Sequence, residues 1–478
     1  CIGALNNGNF LMAIEMLAEF DPFTAEHLGK YGRPGRGGTN YLSTAYEEIV
    51  SIKADMCRQV ISDEIKAAKY FSIIVDSTPD IAHVDQLAVV FRYVRAGGTP
   101  VEVFYTFIPN TGHKAEELFN AVTHLLESVG IDLSNCRGQS YDNASNMAGA
   151  YSGLQARIKA ANEVAEYIPC SAHALNLIGD AAAGSCTESD NFFLFLQNIY
   201  NFFSASPSRW DKLAKRNVDK TLKSLSTTRW SCRDDACESL LRSWDPVRDT
   251  LESMAADPAE KAIARAQAKG LFRQMMMFRT AFLTVFWGKT LNRVNAVSKK
   301  LQKVDADVGL VIDLYDSLIS YLGTARENIS IYEAGARKLL DAGNQLETEK
   351  RSRKRKRHFD DSEEEEETPP NSNSELTSRV FFTIIDCFTA ELTRRKQSYE
   401  RVFRKFSVLL NFRQLSAEEI REQALVLTST YPDDISDNIV EEIWHLKDYA
   451  CASEREHLNA NNLCHWMRDC DLLEISPM

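Results

Sequence analysis

The apolar residues of the chain change their spacing at Tyr70, and this change constrains the fold more than any other feature. Residues 1–69 repeat apolar positions at intervals of three and four, as in "FLMAIEMLAEF", which predicts helices. From Tyr70, the runs "YFSIIVD", "QLAVVFRYVR" and "VEVFYTFIPN" are short, rich in β-branched and aromatic residues, and separated by turn residues. They predict a meander of three strands.

Helices and strands alternate after the meander. "KAEELFNAVTHLLESVG" predicts an amphipathic helix that ends at Gly130, and "GLQARIKAAN" predicts another. Short strands are predicted before "YDNASNM" and around "AEYIPCSAHALNLIGD". After about residue 188 only helical patterns remain. The sequence therefore predicts an α/β fold with a mixed sheet, followed by a long helical region.

Composition sets further limits. The 478 residues are 44% hydrophobic, which is typical of a globular protein of several domains, and no uninterrupted apolar run is long enough to span a membrane. The eleven cysteines include no CxxC pair, so reduced thiols in the cytosol or nucleus are expected. The sequence begins at Cys1 rather than Met, and we expect a fragment from which any N-terminal targeting or DNA-binding module would be missing.

Charge is distributed unevenly along the chain. A net charge of −12 argues against a nucleic-acid partner, yet Lys261 to Val304 holds ten basic residues and no acidic one. Arg209 to Arg233 holds eight basic residues against Asp211 and Asp219. The stretch 261–304 is either the solvated face of a helical bundle or a surface for a polyanion, and the lack of any acidic residue favours the polyanion.

One segment has the composition of a disordered linker. Residues 347–375 contain a basic block, an acidic block and a tail rich in Pro, Ser and Asn. The basic block, Lys350 to Arg357, is either a nuclear-import signal or a solvated stretch of linker whose charges screen each other.

Two aspartates follow apolar strand patterns. Asp76 ends the apolar run "YFSIIVD", and Asp142 follows the strand predicted after the first α/β helix. Asp76 is either a residue that caps the turn with Thr78 and Pro79 or a placed catalytic group. If the two strands are neighbours, both carboxylates emerge at one sheet edge, where they could share Mg²⁺ or Mn²⁺ for phosphoryl transfer.

Four blocks in the same order resemble the hAT superfamily of transposases, in particular the transposase-derived region of MYM-type zinc-finger proteins. The blocks are "FSIIVDSTPDIAHVDQLAVVFRYV", "CRGQSYDNASNMAGAYSGLQARI", "CSAHALNL" and "TTRWSCRDDA". The resemblance implies an RNase H-like core interrupted by a large all-α insertion, and a catalytic set of Asp, Asp and Glu with divalent metal.

The resemblance assigns the first acid to Asp76 and the second to Asp142. The third acid of the family, on a helix after the insertion, has no counterpart before the sequence ends at Met478. Two hypotheses follow: a domesticated or decayed DNA-binding protein that is catalytically incomplete, or a fragment of an active metal-dependent transposase. A non-enzymatic nuclear interaction scaffold is a third.

The other blocks imply DNA contact. Cys170 and His173 resemble the family's Cys-x-x-His block and are expected to support the core beside DNA; a structural zinc is not expected, because zinc needs two more ligands. Trp230 is either a base-stacking residue or a core tryptophan, and its basic flanks favour stacking. The residues predicted to contact DNA are Trp230, Arg229, Arg233, Arg273, Arg279 and Lys289.

The predicted organisation has five segments. We expect the partner to be DNA, the location to be nuclear, and any homo-oligomer to form through a C-terminal segment outside this sequence. The segments are an N-terminal helical region 1–69, an RNase H-like core 70–187, an α-helical insertion 188–346, a charged linker 347–375 and a helical continuation of the insertion 376–478.

Overall fold

The computed structural model divides the chain into two compact units, Cys1–Gln139 with Arg157–Ala165, and Ser140–Ala156 with Glu166–Met478. The structure describes residues 9–31, 40–96, 98–109, 111–225, 230–303, 306–341, 373–452 and 460–470. This division is coarser than the five predicted segments, whose boundaries stay a prediction.

The first unit contains the predicted meander. β1 Phe71–Pro79, β2 Asp85–Val94 and β3 Pro100–Pro109 pair antiparallel in sequence order. β4 Cys136–Ser140 follows a 3₁₀ turn, and the four strands lie in the order β3-β2-β1-β4 of a mixed sheet. Alternate residues of β1 and β2 are buried, because successive side chains of a strand point to opposite faces. The buried ones are Phe71, Ile73, Val75, Leu87, Val89, Phe91 and Tyr93.

Helices precede and follow the meander. The N-terminal helices are α1 Asn9–Ala18, α2 Pro22–Tyr31 and α3 Asn40–Ala68. α4 Ala115–Val129 buries Leu118, Val122 and Leu126, and it ends at Gly130, whose φ of 68° is the left-handed conformation that glycine adopts without strain. The helix predicted to end at this glycine is therefore confirmed.

α3 is anchored to the sheet at its C-terminal end. The Ser62 and Tyr105 hydroxyls are 3.0 Å apart, and the Tyr93 hydroxyl and the Arg95 guanidinium both donate to the Glu64 carboxylate. Burial and the Glu64 contact raise the pKa of Tyr93 to about 12, while the Tyr93 hydrogen bond and Arg95 lower the pKa of Glu64. These contacts fix the last turns of α3.

Short elements lead into the second unit. They are α5 Ser145–Ala148, α6 Leu154–Ala161 and β5 Glu166–Tyr167, followed by α7 Ser171–Ala183. The strand predicted around "AEYIPCSAHALNLIGD" is wrong beyond Tyr167. Ala174, Leu175, Ile178 and Ala182 are buried at helical spacing, and short apolar runs fit either a strand or a helix.

The described residues after α7 form helices only. These are α8 Thr187–Ser204, α9 Pro207–Ala214, α10 Trp230–Arg242, α11 Trp244–Ala256, α12 Ala262–Met275, α13 Phe278–Leu301, α14 Val308–Glu327, α15 Ile329–Asp341, α16 Asn373–Asn411, α17 Ala417–Thr430, α18 Ile439–Ala452 and α19 Ala460–Asp469. The centre of this unit is α13, which packs against helices from α7 to α16 and buries Phe282, Phe286 and Trp287.

Two features near the linker and α14 bear on the sequence predictions. Residues 342–372, which hold most of the linker and the whole basic block, lie outside the described residues, and α16 begins at Asn373 rather than after Glu375. Among the described helices, α14 has the length and apolar composition of a membrane span. Its Leu318 and Leu322 are buried and it packs on α16, as a core helix does.

Candidate functional site

Asp76 lies on the exposed face of the sheet. The buried part of β1 ends at Val75, but the strand itself continues to Pro79, so Asp76 does not end the strand as predicted. Asp76 is exposed and stands opposite Ala88 of β2, which in turn stands opposite Phe107 of β3. The carboxylate thus points away from the hydrophobic core of the first unit.

Asp80 organises the turn after β1. The Asp80 carboxylate accepts the backbone N–H groups of Ala82 at 2.8 Å and Val84 at 2.9 Å, and the side chain of Gln86 at 3.1 Å. The Val84 hydrogen bond is the main cause of a lowered Asp80 pKa. His83 adopts a positive φ of 60° within the same turn. Whether Asp76 also caps this turn with Thr78 and Pro79 stays a prediction.

Asp142 lies two residues beyond β4, in the second unit. Its carboxylate accepts the N–H of Ala144 at 3.1 Å, and its carbonyl accepts the Tyr167 hydroxyl at 3.3 Å. The following loop is compact because Gly149 and Gly153 approach backbone to backbone; a Cβ on Gly153 would lie 2.5 Å from the Gly149 nitrogen. β1 and β4 are neighbours in the sheet, while a metal shared by Asp76 and Asp142 stays a prediction.

Cys170 immediately precedes α7 and His173 lies in its first turn, and aromatic side chains hold this end of the helix. The Cys170 N–H donates to the Tyr141 carbonyl at 2.9 Å. The Tyr399 hydroxyl donates to the Pro169 carbonyl, and the Tyr315 hydroxyl to the Ser171 carbonyl, each at 3.1 Å. Burial raises the pKa of both tyrosines, so both remain donors. Nearby, Lys405 pairs with the buried Glu166.

This tyrosine support was missed at the sequence level because its partners are far apart in the chain. Tyr315 lies on α14 and Tyr399 on α16, and their rings meet edge to face at 5.7 Å. No local pattern predicts such pairs. The block expected to support the core is itself held by α14 and α16.

The described residues offer no complete metal shell. Nowhere in the described part of the chain do three His, Cys, Asp or Glu side chains form a group that could hold a metal ion. Two-metal phosphoryl chemistry needs several oxygen ligands around each ion. Asp76 and Asp142 could each supply oxygen ligands, but two carboxylates do not complete the ligand set. No metal-dependent step is therefore assigned to them.

The first basic region, defined as residues 209–233, is neutralised within the molecule. Most of its described cations face a carboxylate or an aromatic ring. The contacts are Arg209 over Phe202 at 4.4 Å, Lys212 with Glu260 at 2.6 Å, Lys215 with Asp211 at 2.5 Å, Arg216 with Asp249 at 3.9 Å, Lys220 with Asp235 at 3.0 Å and Arg233 with Asp180 at 3.1 Å.

Of the three DNA-contact residues predicted in this region, Arg233 has internal contacts. Its side chain is only 21% exposed and lies 4.8 Å from the centre of the Phe193 ring, and burial lowers its pKa. Trp230 is the first residue of α10, and Arg229 lies outside the described residues. Whether any of them contacts DNA stays a prediction.

The second basic region, defined as residues 261–303, keeps most of its cations exposed. In α12 and the residue before it, Lys261, Arg265, Lys269 and Arg273 recur every fourth position and so lie along one side of the helix. Among the described residues none of the four has an ion-pair partner. Arg279, by contrast, pairs with Glu188 at 3.6 Å.

One stripe of cations runs along the exposed side of α13. Lys289, Arg293 and Lys300 are exposed and spaced by four and seven residues, which places them on one side of the helix, with Lys299 beside them. The exposed Lys303 follows two residues after the helix ends at Leu301. The Lys289 ammonium lies 5.5 Å from the Tyr332 ring centre, and Arg293 donates to the Ser317 hydroxyl at 3.0 Å. The opposite side of α13 is buried. The spacing alone was enough to predict this stripe.

Comparisons with known proteins bear on the first part of the chain. A family model described as the ZMYM1/FAM200, RNase-like domain matches residues 2–153, which include β1 to β4, Asp76 and Asp142. The resemblance to transposase-derived proteins is confirmed. It is supported by two curated relatives, both named "52 kDa repressor of the inhibitor of the protein kinase".

The relatives cover more of the chain but are longer proteins. The human protein is 25% identical over 311 residues, and the mouse protein is 25% identical over 308 residues; each alignment covers 60% of this chain. These alignments span 39% of the human protein and 40% of the mouse protein, so the chain corresponds to about two fifths of their length.

Proposed function

We propose that this chain is a domesticated or decayed hAT transposase-like protein that binds DNA and does not cleave it. The similarity to transposase-derived proteins supports the descent. The observation that carries DNA binding is the cationic stripe, defined as Lys289, Arg293, Lys299 and Lys300 of α13 together with Lys303 just after the helix. No acidic residue interrupts it, although the chain as a whole carries a net charge of −12.

The stripe suits a phosphate backbone because of its length and its charge. Twelve residues of helix lie between Lys289 and the end of α13 at Leu301, which at 1.5 Å per residue gives about 18 Å, or roughly five base pairs of duplex. Each phosphate that a cation neutralises releases condensed counterions, which favours binding. Overall charge acts over longer distances and is screened beyond about 8 Å at physiological salt. The local stripe therefore outweighs the overall charge.

The deciding experiment is a salt titration of duplex DNA binding by the whole chain. Replacing Arg293, Lys300 and Lys303 with glutamine removes about three phosphate contacts and should reduce the slope of log affinity against log salt by roughly 2 to 3, with an affinity loss of about a hundredfold at low salt. The matched control replaces Lys215, Lys223 and Arg242 with glutamine, because it changes the net charge equally.

The control variant should keep the wild-type slope. Equal effects of the two triple variants would show that only net charge matters, and an absence of DNA binding by the wild-type chain would remove the proposal.

The proposal also includes the architecture of the chain. An RNase H-like core with an all-α insertion is supported by the sheet order β3-β2-β1-β4, the RNase-like family match and the helical run after β5. In this arrangement Asp76 and Asp142 would be the remnants of the acidic site, and Mg²⁺ or Mn²⁺ would bind only with further carboxylates.

The active-transposase alternative is testable directly. Because two carboxylates leave the metal shell incomplete, we expect purified protein to show no strand cleavage with Mg²⁺ or Mn²⁺ on supercoiled or linear DNA. Metal-dependent nicking that disappears in Asp76→Asn would establish the enzyme instead.

A nuclear location follows from the proposal. The block Lys350 to Arg357 has the composition of an import signal, and the two relatives carry the word repressor in their names. The nuclear scaffold alternative shares this location, and the salt titration separates it, since a scaffold without DNA affinity would show no salt-dependent binding.

A further inference from the structure

Much of α3 is exposed to solvent. The helix has 29 residues, and its contacts with the sheet lie near its C-terminal end, at Ser62, Glu64 and Ile65. From Tyr46 to Val60 nearly every side chain is exposed. The large apolar ones are Tyr46, Ile49, Val50, Ile52, Met56 and Val60, which are 47 to 64% exposed. So much apolar surface on one helix marks an interaction site.

A regular seam follows the exposed side of α3. Its residues alternate in spacings of four and three, which is the repeat of the contact positions in a coiled coil. We define the α3 seam as Ile49, Lys53, Met56, Val60, Asp63 and Ala67, all of them exposed. The buried Ser62 and Ile65 point to the other side of the helix. The seam is therefore available along about 27 Å of helix while α3 stays anchored.

The two charges in the seam select one partner arrangement. In a parallel pair of α3 helices, Lys53 would face Lys53 and Asp63 would face Asp63, and like charges at these positions repel. In an antiparallel pair centred between Met56 and Val60, Lys53 of each copy faces Asp63 of the other. Met56 then meets Val60, and Ile49 meets the small Ala67. The seam is complementary to itself in that arrangement alone.

We propose that α3 forms an antiparallel helix pair with α3 of a second copy, and that this pair is a dimer interface of the protein. The complementarity of Lys53 and Asp63 points to a second copy rather than to an unrelated helix, and twofold symmetry is the commonest closed assembly. The interface residues all belong to the first unit and none of them is part of the cationic stripe, so the proposal does not rest on the proposed DNA binding.

Such an interface is small. A helix pair of this length buries less than a standard protein interface, and we expect a reversible dimer with a dissociation constant on the order of micromolar. The test is sedimentation equilibrium of the whole chain across that concentration range, with circular dichroism to check that each variant is folded.

One pair of variants tests the seam. Met56→Glu places a charge in its centre and should weaken dimerisation by about tenfold or more. Ser51→Glu adds the same charge on the other side of the exposed helix and should leave the dissociation constant unchanged. A chain that is monomeric throughout, or a dimer equally insensitive to both changes, would overturn the proposal.

A charge exchange tests the direction of the pair. Lys53→Glu alone and Asp63→Lys alone should each weaken the dimer, because each brings like charges together. The double variant restores opposite charges in an antiparallel pair and should recover most of the affinity. In a parallel pair each of the two residues in the double variant would still face a residue of the same charge. A double variant whose dimer affinity does not recover would therefore refute the antiparallel arrangement. Glu48→Lys, on another side of α3, is the control for total charge.

Discussion

The two basic regions of the second unit look alike in sequence and differ in structure. In residues 209–233 most of the described cations contact carboxylates or aromatic rings, as in the pairs Lys220–Asp235 and Arg233–Asp180. In residues 261–303 the cations stand along exposed sides of α12 and α13, and Arg279 is the member that pairs with a carboxylate among the described residues.

The difference shows that cation density along a sequence does not predict cation density on a surface. Acidic partners of the first region come from residues such as Asp180 and Glu260, outside the window in which charges were counted. The charge of an arginine that pairs internally is already compensated by its carboxylate, and a phosphate would have to displace that carboxylate, so such an arginine offers little net binding energy. The second region is therefore the stronger candidate for phosphate contact.

Among the variants that test this comparison of the two basic regions, the largest effect is expected at Trp230. If the first region contributes to DNA binding through stacking rather than charge, Trp230→Ala should lower the affinity for DNA with unpaired bases by roughly 1 to 3 kcal/mol and leave the salt slope unchanged. The measurement is a salt titration with gapped and fully paired DNA.

Fully paired DNA serves as the control for Trp230, because it offers no free base to stack. An affinity that falls equally on both substrates, with reduced protein stability, would instead identify Trp230 as a core residue.

A smaller effect is expected at Arg233. Arg233→Met keeps much of the packing on Phe193 but leaves Asp180 without its partner. We expect a loss of about 1 kcal/mol in the free energy of unfolding, because solvent screens Asp180, the more exposed partner of the pair. Urea denaturation measures it.

DNA affinity should remain unchanged in Arg233→Met. If the salt slope flattens while stability is retained, Arg233 contacts phosphate and the contrast between the two basic regions fails. Arg293→Met in the exposed stripe gives the matched comparison, with the opposite pattern expected.

Local signals predicted the first unit well. The meander follows from two-residue alternation, and the end of α4 follows from Gly130, since both depend on residues adjacent in the chain. The strand expected through Cys170 to Asp180 is a helix because the tertiary contacts of α7, not its short apolar run, decide its conformation.

The site residues also differ in whether local sequence signals could predict them. The exposed cations of α13 could have been found from their spacing, whereas the tyrosines that hold Cys170 come from α14 and α16 and could not. Asp76 lies on a strand, but that strand continues to Pro79, and the turn after it is organised by Asp80, four residues later. Hydrogen bonds within a turn depend on its geometry, which residue types alone do not determine.

The smallest effect concerns two acidic residues of α10, which border the first basic region. Asp234 is buried, and its carboxylate accepts the Asn295 side chain at 2.7 Å; burial raises its pKa. Glu238 lies one turn later, and the Lys220 hydrogen bond lowers its pKa. Because Asp234 binds its proton more tightly in the folded chain, its favourable contribution is complete below its ordinary pKa of 3.8 and is lost as pH rises through the folded value.

The contribution of Glu238 to stability depends on pH in the opposite direction. Its contribution is present above its ordinary pKa of 4.5 and is lost as pH falls through the folded value. We therefore expect Asp234→Asn, which can still accept the Asn295 hydrogen bond, to be more stable than wild type at neutral pH, and Glu238→Gln to be less stable. Urea unfolding of both variants from acid to neutral pH measures the two trends. If Asp234→Asn is destabilising at neutral pH, a cation must compensate the buried carboxylate. Lys220 is the candidate, because its charge acts on Asp234 although it already pairs with Asp235 and Glu238. The first basic region would then be neutralised more completely than its ion pairs indicate.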